Sequence, residues 1–304
     1  MLKEKLAYPY GFLVKHLSGR GLTRIPAIRF LNQRIINYFK RDSRKKINFR
    51  GHVLFLDTKD SLNLSFSDYE IFETELIEKE LKTGDVFLDI GANIGYHTLT
   101  AAKRVGPKGR VYAIEPEPEN FSILEQNISI NGYSDRCVLV RKGVSDKSGT
   151  QKLYLDPFNC GGHAFFNHFE KPEVFLGSRS VTLNENLDNF IDVETISIDD
   201  FLSNNRRVNV VKMDIEGAEL LALRGMLETL KANKRIVIFS EFSPSAMNMV
   251  GGDYREFLEI LKRLGFEVYD LNENKKTLKK VSIEDVLKNY TVKNAKTTNL
   301  LLKK

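Results

Sequence analysis

The chain has 304 residues, enough for one well-buried domain of about 220 to 250 residues plus an appendage, and its hydrophobic content of 42% is that of an ordinary globule. No stretch reaches the roughly 18 consecutive apolar residues of a membrane-crossing helix, and residues 1–6 show neither an apolar core nor a small-residue cleavage site, so no secretory signal is expected and the cytoplasm is the expected location. The net charge of +6 is unevenly placed: residues 1–46 hold twelve Lys or Arg against two acids, leaving 34 basic and 38 acidic residues in a mildly acidic body.

In chain order, residues 1–46 interleave those basic residues with Phe12, Leu13, Leu17, Ile28, Phe30, Ile35 and Phe39, the pattern of two short amphipathic helices separated near Gly19, Gly21 and Pro26. This basic extension is expected to cap the domain with its charges solvated, or to meet an anionic membrane or an anionic acceptor, or least of all nucleic acid. The main domain is expected over residues 47–304. Alternation in Phe49, Val53, Phe55 and Leu62 predicts a hairpin within 47–64, followed by a helix over 68–81. Strands are then expected at 85–90, 110–115, 137–142, 208–213 and 235–241, with helices at 95–104, 117–131, 217–230 and 253–264, and late strands at 266–270 and 298–302. Such alternation predicts an α/β fold with a doubly wound, mostly parallel sheet. Cys137 stands in an apolar run and reads as a buried strand residue, so a pair with Cys160 is not expected.

The most informative stretch runs from Asp89 to His97. It follows the apolar run Val86-Phe87-Leu88 and leads into the helical pattern around Leu99, giving strand, glycine turn and helix. Glu115 ends the next apolar run, placing a carboxylate at the tip of a neighbouring strand where it can accept both hydroxyls of a ribose. Gly91 and Gly95 let main chain approach a ligand. A dinucleotide fingerprint needs a glycine where Asn93 stands, which counts against NAD. Asp89 and Asn93 in place of a phosphate cradle suit a ligand with an amino-acid end, and S-adenosylmethionine is such a nucleoside.

Four segments, residues 84–95, Glu115-Pro116, residues 143–146 and residues 211–219 (Val-Lys-Met-Asp-Ile-Glu-Gly-Ala-Glu), resemble the FkbM-type family of class I S-adenosylmethionine-dependent methyltransferases, over about residues 50–304. The resemblance implies a Rossmann-like seven-stranded sheet with an antiparallel edge and methyl transfer from S-adenosylmethionine, commonly to a hydroxyl of a sugar, a glycosylated product or a polyketide-type metabolite. It also implies that Val144, Ser145 and Asp146, after the third strand, contact the adenine; a simple turn is the competing reading.

Methyl transfer to an alcohol needs an aligned acceptor and somewhere for its proton to go. Asp214 and Glu216 follow the fourth strand and are expected at the carboxyl end of the sheet, as is Glu241 after the fifth. Asp214 serves as base, orients the acceptor, or ligates a divalent metal ion with Glu216 and Glu241 as co-ligands, and the sequence leaves these roles open. The competing structural reading pairs Glu216 with Lys212 and has Asp214 cap the following helix. His163, in a glycine-containing segment, is a further candidate general base. Residues 143–207 are too long for a simple crossover and are expected to cover the acceptor. The expected partner is thus a small-molecule or glycan acceptor. A nucleic-acid methyltransferase is favoured only by the basic extension and opposed by the acidic body. A non-catalytic cofactor-binding module in a biosynthetic assembly is the alternative from another class.

Overall fold

The computed structural model describes residues 46–58, 60, 62, 64, 69–156, 159–167 and 189–304; the helices expected within residues 1–45 and the first residue of the helix expected from Asp68 lie outside these. β1 (Lys46–Phe49) and β2 (His52–Phe55) form the expected hairpin, followed by α1 (Ile71–Glu80), β3 (Val86–Ile90), α2 (Tyr96–Val105), β4 (Arg110–Ile114), α3 (Pro118–Ile130) and β5 (Cys137–Val140). Next come β6 (Gly143–Val144), β7 (Gly149–Tyr154), β8 (Phe190–Ile196), α4 (Ile198–Phe201), β9 (Val210–Met213), α5 (Glu219–Arg224), α6 (Leu227–Ala232) and β10 (Val237–Phe242). The chain ends through α7 (Pro244–Met249), α8 (Tyr254–Arg263), β11 (Glu267–Asn272), β12 (Thr277–Val281), α9 (Ile283–Asn289) and β13 (Thr298–Lys303).

The main sheet runs β12-β11-β13-β10-β9-β3-β4-β5. β10, β9, β3, β4 and β5 are parallel, as the alternation with helices requires, and β13 inserts antiparallel between β10 and β11. This is the Rossmann-like class I arrangement, with one strand more than the seven expected. The extra strand, β12, pairs only with β11, and its Lys279 and Lys280 are exposed, so its polar residues hid it in the sequence. Leu300, Leu301 and Leu302 of β13 are fully buried, consistent with a strand covered on both faces.

One core face joins β9 and β10 to α5 and α8 through Leu220, Leu223, Phe257 and Leu261; the other joins β3 and β4 to α1, α2 and α3 through Ile77, Leu99 and Leu124. The helix expected over 217–230 is broken between α5 and α6. A side chain at Gly225 would lie 2.1 Å from the Ser145 carbonyl oxygen, so main chain meets main chain there and the helix yields. The expected insertion builds a small sheet, β6-β8-β7, beside the carboxyl end of β5.

From β3 the chain winds outward through β4 and β5, then returns to the other side of β3 as β9. Between β3 and β9 lies the topological switch point, where open α/β sheets bind ligands beyond their strand tips.

Candidate active site

A cleft of about 540 Å³, counted out to open solvent, crosses the strand tips in the order set by the sheet. Lys142, Gly143 and Val144 lie at the β5 end, Glu115 beyond β4, Gly91 and Asn93 beyond β3, and Asp214 and Glu216 beyond β9.

Glu115 is buried, and both its oxygens face amides: Oε2 accepts from Asn93 N–H at 2.9 Å and Oε1 from Glu117 N–H at 3.0 Å. Burial pushes its carboxyl up to about 7, against the pull of those two amides. Each oxygen keeps a second lone pair, so the group retains acceptor capacity for a pair of ribose hydroxyls.

The glycine loop is built differently from the sequence expectation. Gly91 lines the cleft, but its lack of a side chain serves the sheet: a Cβ there would stand 2.0 Å from the Asp214 carbonyl oxygen, at φ +82°. Gly95 precedes α2, abuts Leu124 and is not among the cleft-lining residues. Asp89 is buried below the loop, where Oδ2 accepts from the Thr98 hydroxyl at 2.5 Å. Asn93 lines the cleft at φ +49°, with Oδ1 accepting from Ile94 N–H at 2.7 Å and Nδ2 donating to the Cys160 carbonyl at 3.4 Å. Asn120 donates to the same carbonyl at 2.8 Å. Two asparagines therefore tie residues 159–165 over the cleft, where the Phe165 ring lies against the bare main chain of Gly143. Of the three residues expected at the adenine, Val144 lines the cleft. Ser145 is buried and accepts from Gln151 Nε2 at 3.1 Å, whereas Asp146 is exposed.

At the β9 end the sequence reading missed a buried charge network. Lys212 is 2% exposed and reaches Glu73 at 2.7 Å, Asp214 at 3.3 Å and Glu70 at 3.7 Å. Burial alone would lower its pKa; Asp214, Glu70 and Glu73 raise it well above the ordinary lysine value, so it stays an ammonium. His97 Nε2 lies 3.1 Å from Glu70, and Asn299 donates to Glu73 at 2.5 Å. The signal for this network was Lys212 itself, a lysine inside an apolar strand, where an unpaired charge is costly. Its partner is not Glu216, as the structural reading of the sequence had it. Nor does Asp214 cap a helix, since α5 is preceded by Ala218 without a side-chain cap.

Asp214 and Glu216 line the cleft. Glu216 sits at φ +51°, and burial, then Asp214 and Glu219, push its carboxyl up to about 8. Behind it Glu219 accepts from the amides of Ile215 and Gly217 at 3.1 and 3.2 Å and is pushed by burial up to about 7. Glu241 lies well above the carboxylate range, through burial and then Glu216 and Asp214. The Oε2 atoms of Glu219 and Glu241 are buried without a hydrogen-bond partner.

His163 lines the cleft, but its Nδ1 accepts from Asp156 N–H at 3.0 Å. The neutral ring then carries its proton on Nε2 and is a donor rather than a base. Among the described residues, the cluster whose candidate ligand atoms all lie within 4.8 Å is Glu70, Glu73 and His97, and Lys212 already supplies its cation. Asp214, Glu216 and Glu241 form no such cluster and do not fit a shared divalent ion.

Residues 89–268 match the methyltransferase FkbM domain. The chain is similar to methyltransferase sdnD of Sordaria araneosa, 26% identical over 211 residues that cover 60% of this chain and 81% of the relative. It is 28% identical over 169 residues to hexuronic acid methyltransferase AglP of Haloferax volcanii, covering 54% of this chain and 59% of AglP, which is less than two thirds of that relative's length. With 31-O-demethyl-FK506 methyltransferase FkbM of Streptomyces tacrolimicus it shares 26% identity over 207 residues, covering 62% of this chain and 75% of the relative.

Proposed function

Because the chain belongs to the FkbM methyltransferase family and is an S-adenosylmethionine-dependent methyltransferase, we propose that it methylates a hydroxyl group on a sugar, a glycoconjugate or a related small metabolite. The observation that carries this reading is a single cleft with a ribose-type acceptor, Glu115, near one end and a carboxyl of near-neutral pKa, Glu216, at the other. The names of two relatives, one a hexuronic acid methyltransferase and one a 31-O-demethyl-FK506 methyltransferase, support an oxygen acceptor.

S-adenosylmethionine supplies an electrophilic methyl group on a sulfonium. Glu115 binds the ribose hydroxyls, Val144 and Gly143 form an apolar wall for the base, and Gly91 and Asn93 border the amino-acid end. Asp214, held by Lys212, orients the acceptor hydroxyl, and Glu216 takes its proton as the new carbon–oxygen bond forms. A carboxyl near pH 8 suits that step, because a general base works best with a pKa close to the working pH. Residues 159–165 cover the cleft, with the Phe165 ring over Gly143 at the base end, and limit the entry of water.

The test is incubation with methyl-labelled S-adenosylmethionine and a panel of neutral sugars, uronic acids, hydroxylated macrolides and RNA, with and without magnesium. The expected product carries label in an alkali-stable ether on a sugar or metabolite hydroxyl. Label in RNA, on nitrogen, or in an alkali-labile ester would contradict the proposal.

A further inference from the structure

The charges along the cleft are sorted. Its described lining lysine, Lys142, lies at the adenine end and is paired with Glu194 at 2.8 Å. At the other end the lining groups are Asp214 and Glu216, with the unpartnered oxygens of Glu219 and Glu241 close behind. Lys212, which pairs with Asp214, is 2% exposed and shared among three carboxylates. Among the described residues that line the cleft, no lysine or arginine stands at that end, so the carboxylates there are free to meet a positive charge on the ligand.

With the ribose at Glu115 and the base toward Val144, the amino-acid side of the cofactor extends over Gly91 toward β9, so the sulfonium faces this acidic end. We propose that Asp214 and Glu216 read the positive charge of the methyl donor, so that the protein binds S-adenosylmethionine in preference to its neutral thioether product, with Glu216 setting the preference. The inference rests on the cofactor reading given above. The two ligands share adenine, ribose and amino-acid end and differ by one methyl group and one charge, so their affinity ratio isolates the effect. Unlike charges about 5 Å apart in a partly buried site favour the cation by about tenfold or more. Such a site releases its product once the charge is gone.

The experiment is calorimetric titration of the full chain with S-adenosylmethionine and with S-adenosylhomocysteine, repeated for Glu216→Gln and Asp214→Asn, with thermal melting to establish that each variant is folded. At about pH 9, where Glu216 is ionised, the wild type is expected to favour the sulfonium about tenfold or more, and Glu216→Gln to lose most of that ratio while keeping its affinity for the thioether. Glu216→Gln leaves the Lys212 network intact, so it reads the charge effect even where Asp214→Asn fails to fold. Equal or tighter binding of the thioether by the wild type, or a ratio unmoved by Glu216→Gln, overturns the inference while the cofactor assignment stands. Binding of neither ligand overturns the cofactor assignment and the inference together.

Discussion

Glu115 holds two main-chain amides while keeping room for a ribose, and this double duty makes it the most exposed point of the cofactor site to mutation. Glu115→Gln keeps the size but turns one acceptor oxygen into a donor facing an amide, and removes the charge. We expect it to weaken S-adenosylmethionine binding about 10- to 100-fold by calorimetry, the scale of one or two charge-assisted hydrogen bonds. Glu115, Glu219 and Glu216 are pushed up to about 7, 7 and 8, and a carboxyl with a raised pKa is neutral below that value and charged above it. Affinity for the cationic cofactor is therefore expected to rise between pH 6 and 8.5, and a flat or falling profile would contradict these assignments. Asp214→Asn should leave thioether binding intact while cutting turnover about 100-fold or more, as loss of a positioned group in proton transfer does. At this scale the sequence placed Glu115, Asp214 and Glu216 at strand ends, and all three line the cleft. Asp89 lies below the loop with Thr98 on its carboxylate, whereas Asn93 lines the cleft with its side chain bonded to Ile94 and Cys160, contacts that strand-end position alone does not specify.

Gly91 decides how β3 and β9 meet at the switch point. Gly91→Ala forces a methyl group to 2.0 Å from the Asp214 carbonyl at a positive φ, and is expected to cost about 2 kcal/mol or more in chemical denaturation. The strap over the cleft gives a separate prediction. Asn120→Ala removes the 2.8 Å bond to the Cys160 carbonyl, leaving the weaker Asn93 contact. It should speed cofactor dissociation several-fold in stopped-flow measurements and barely change the melting temperature; an unchanged off-rate would remove the strap from the account. The parallel strands and their helices were legible because apolar runs and helical periodicity alternate cleanly. The break between α5 and α6 was not, because Gly225 yields to the distant carbonyl of Ser145. β12 escaped notice because an exposed edge strand need not alternate apolar with polar.

Across the whole molecule, the acidic end of the cleft depends on chain outside the segment that matches the family. α1 and its leading turn precede residue 89, yet Glu70 and Glu73 hold Lys212, and Glu273 caps α1 by accepting from the amides of Phe72 and Glu73. Composition and pattern gave the α/β architecture, but a network joining α1, β9, α2 and β13 becomes visible only once the strands are ordered. These buried groups also set the pH response of stability. The folded state keeps protons on Glu115, Glu216 and Glu219 that an unfolded chain has released above its ordinary 4.5, so stability falls as pH rises toward 8. On the acid side, burial and then Lys103 hold His52 down at about 4, so stability falls as the unfolded chain takes up protons below its ordinary 6.5. Against burial, Lys212 and His97 hold Glu70 down at about 2, a contribution lost as pH falls from the ordinary 4.5 through that value. The melting temperature of the ligand-free protein is expected to peak near about pH 4.5, where the single rising contribution of His52 is overtaken by the three falling ones, and to drop by several degrees by about pH 8.5.

The central claim is that the strand tips form an S-adenosylmethionine site anchored by Glu115, and calorimetric titration of the wild type and of Glu115→Ala with S-adenosylmethionine and with NAD tests it most directly. The account predicts micromolar binding of S-adenosylmethionine alone to the wild type and its loss in the variant. Binding of NAD, or an affinity for S-adenosylmethionine that survives in folded Glu115→Ala unchanged, would contradict it.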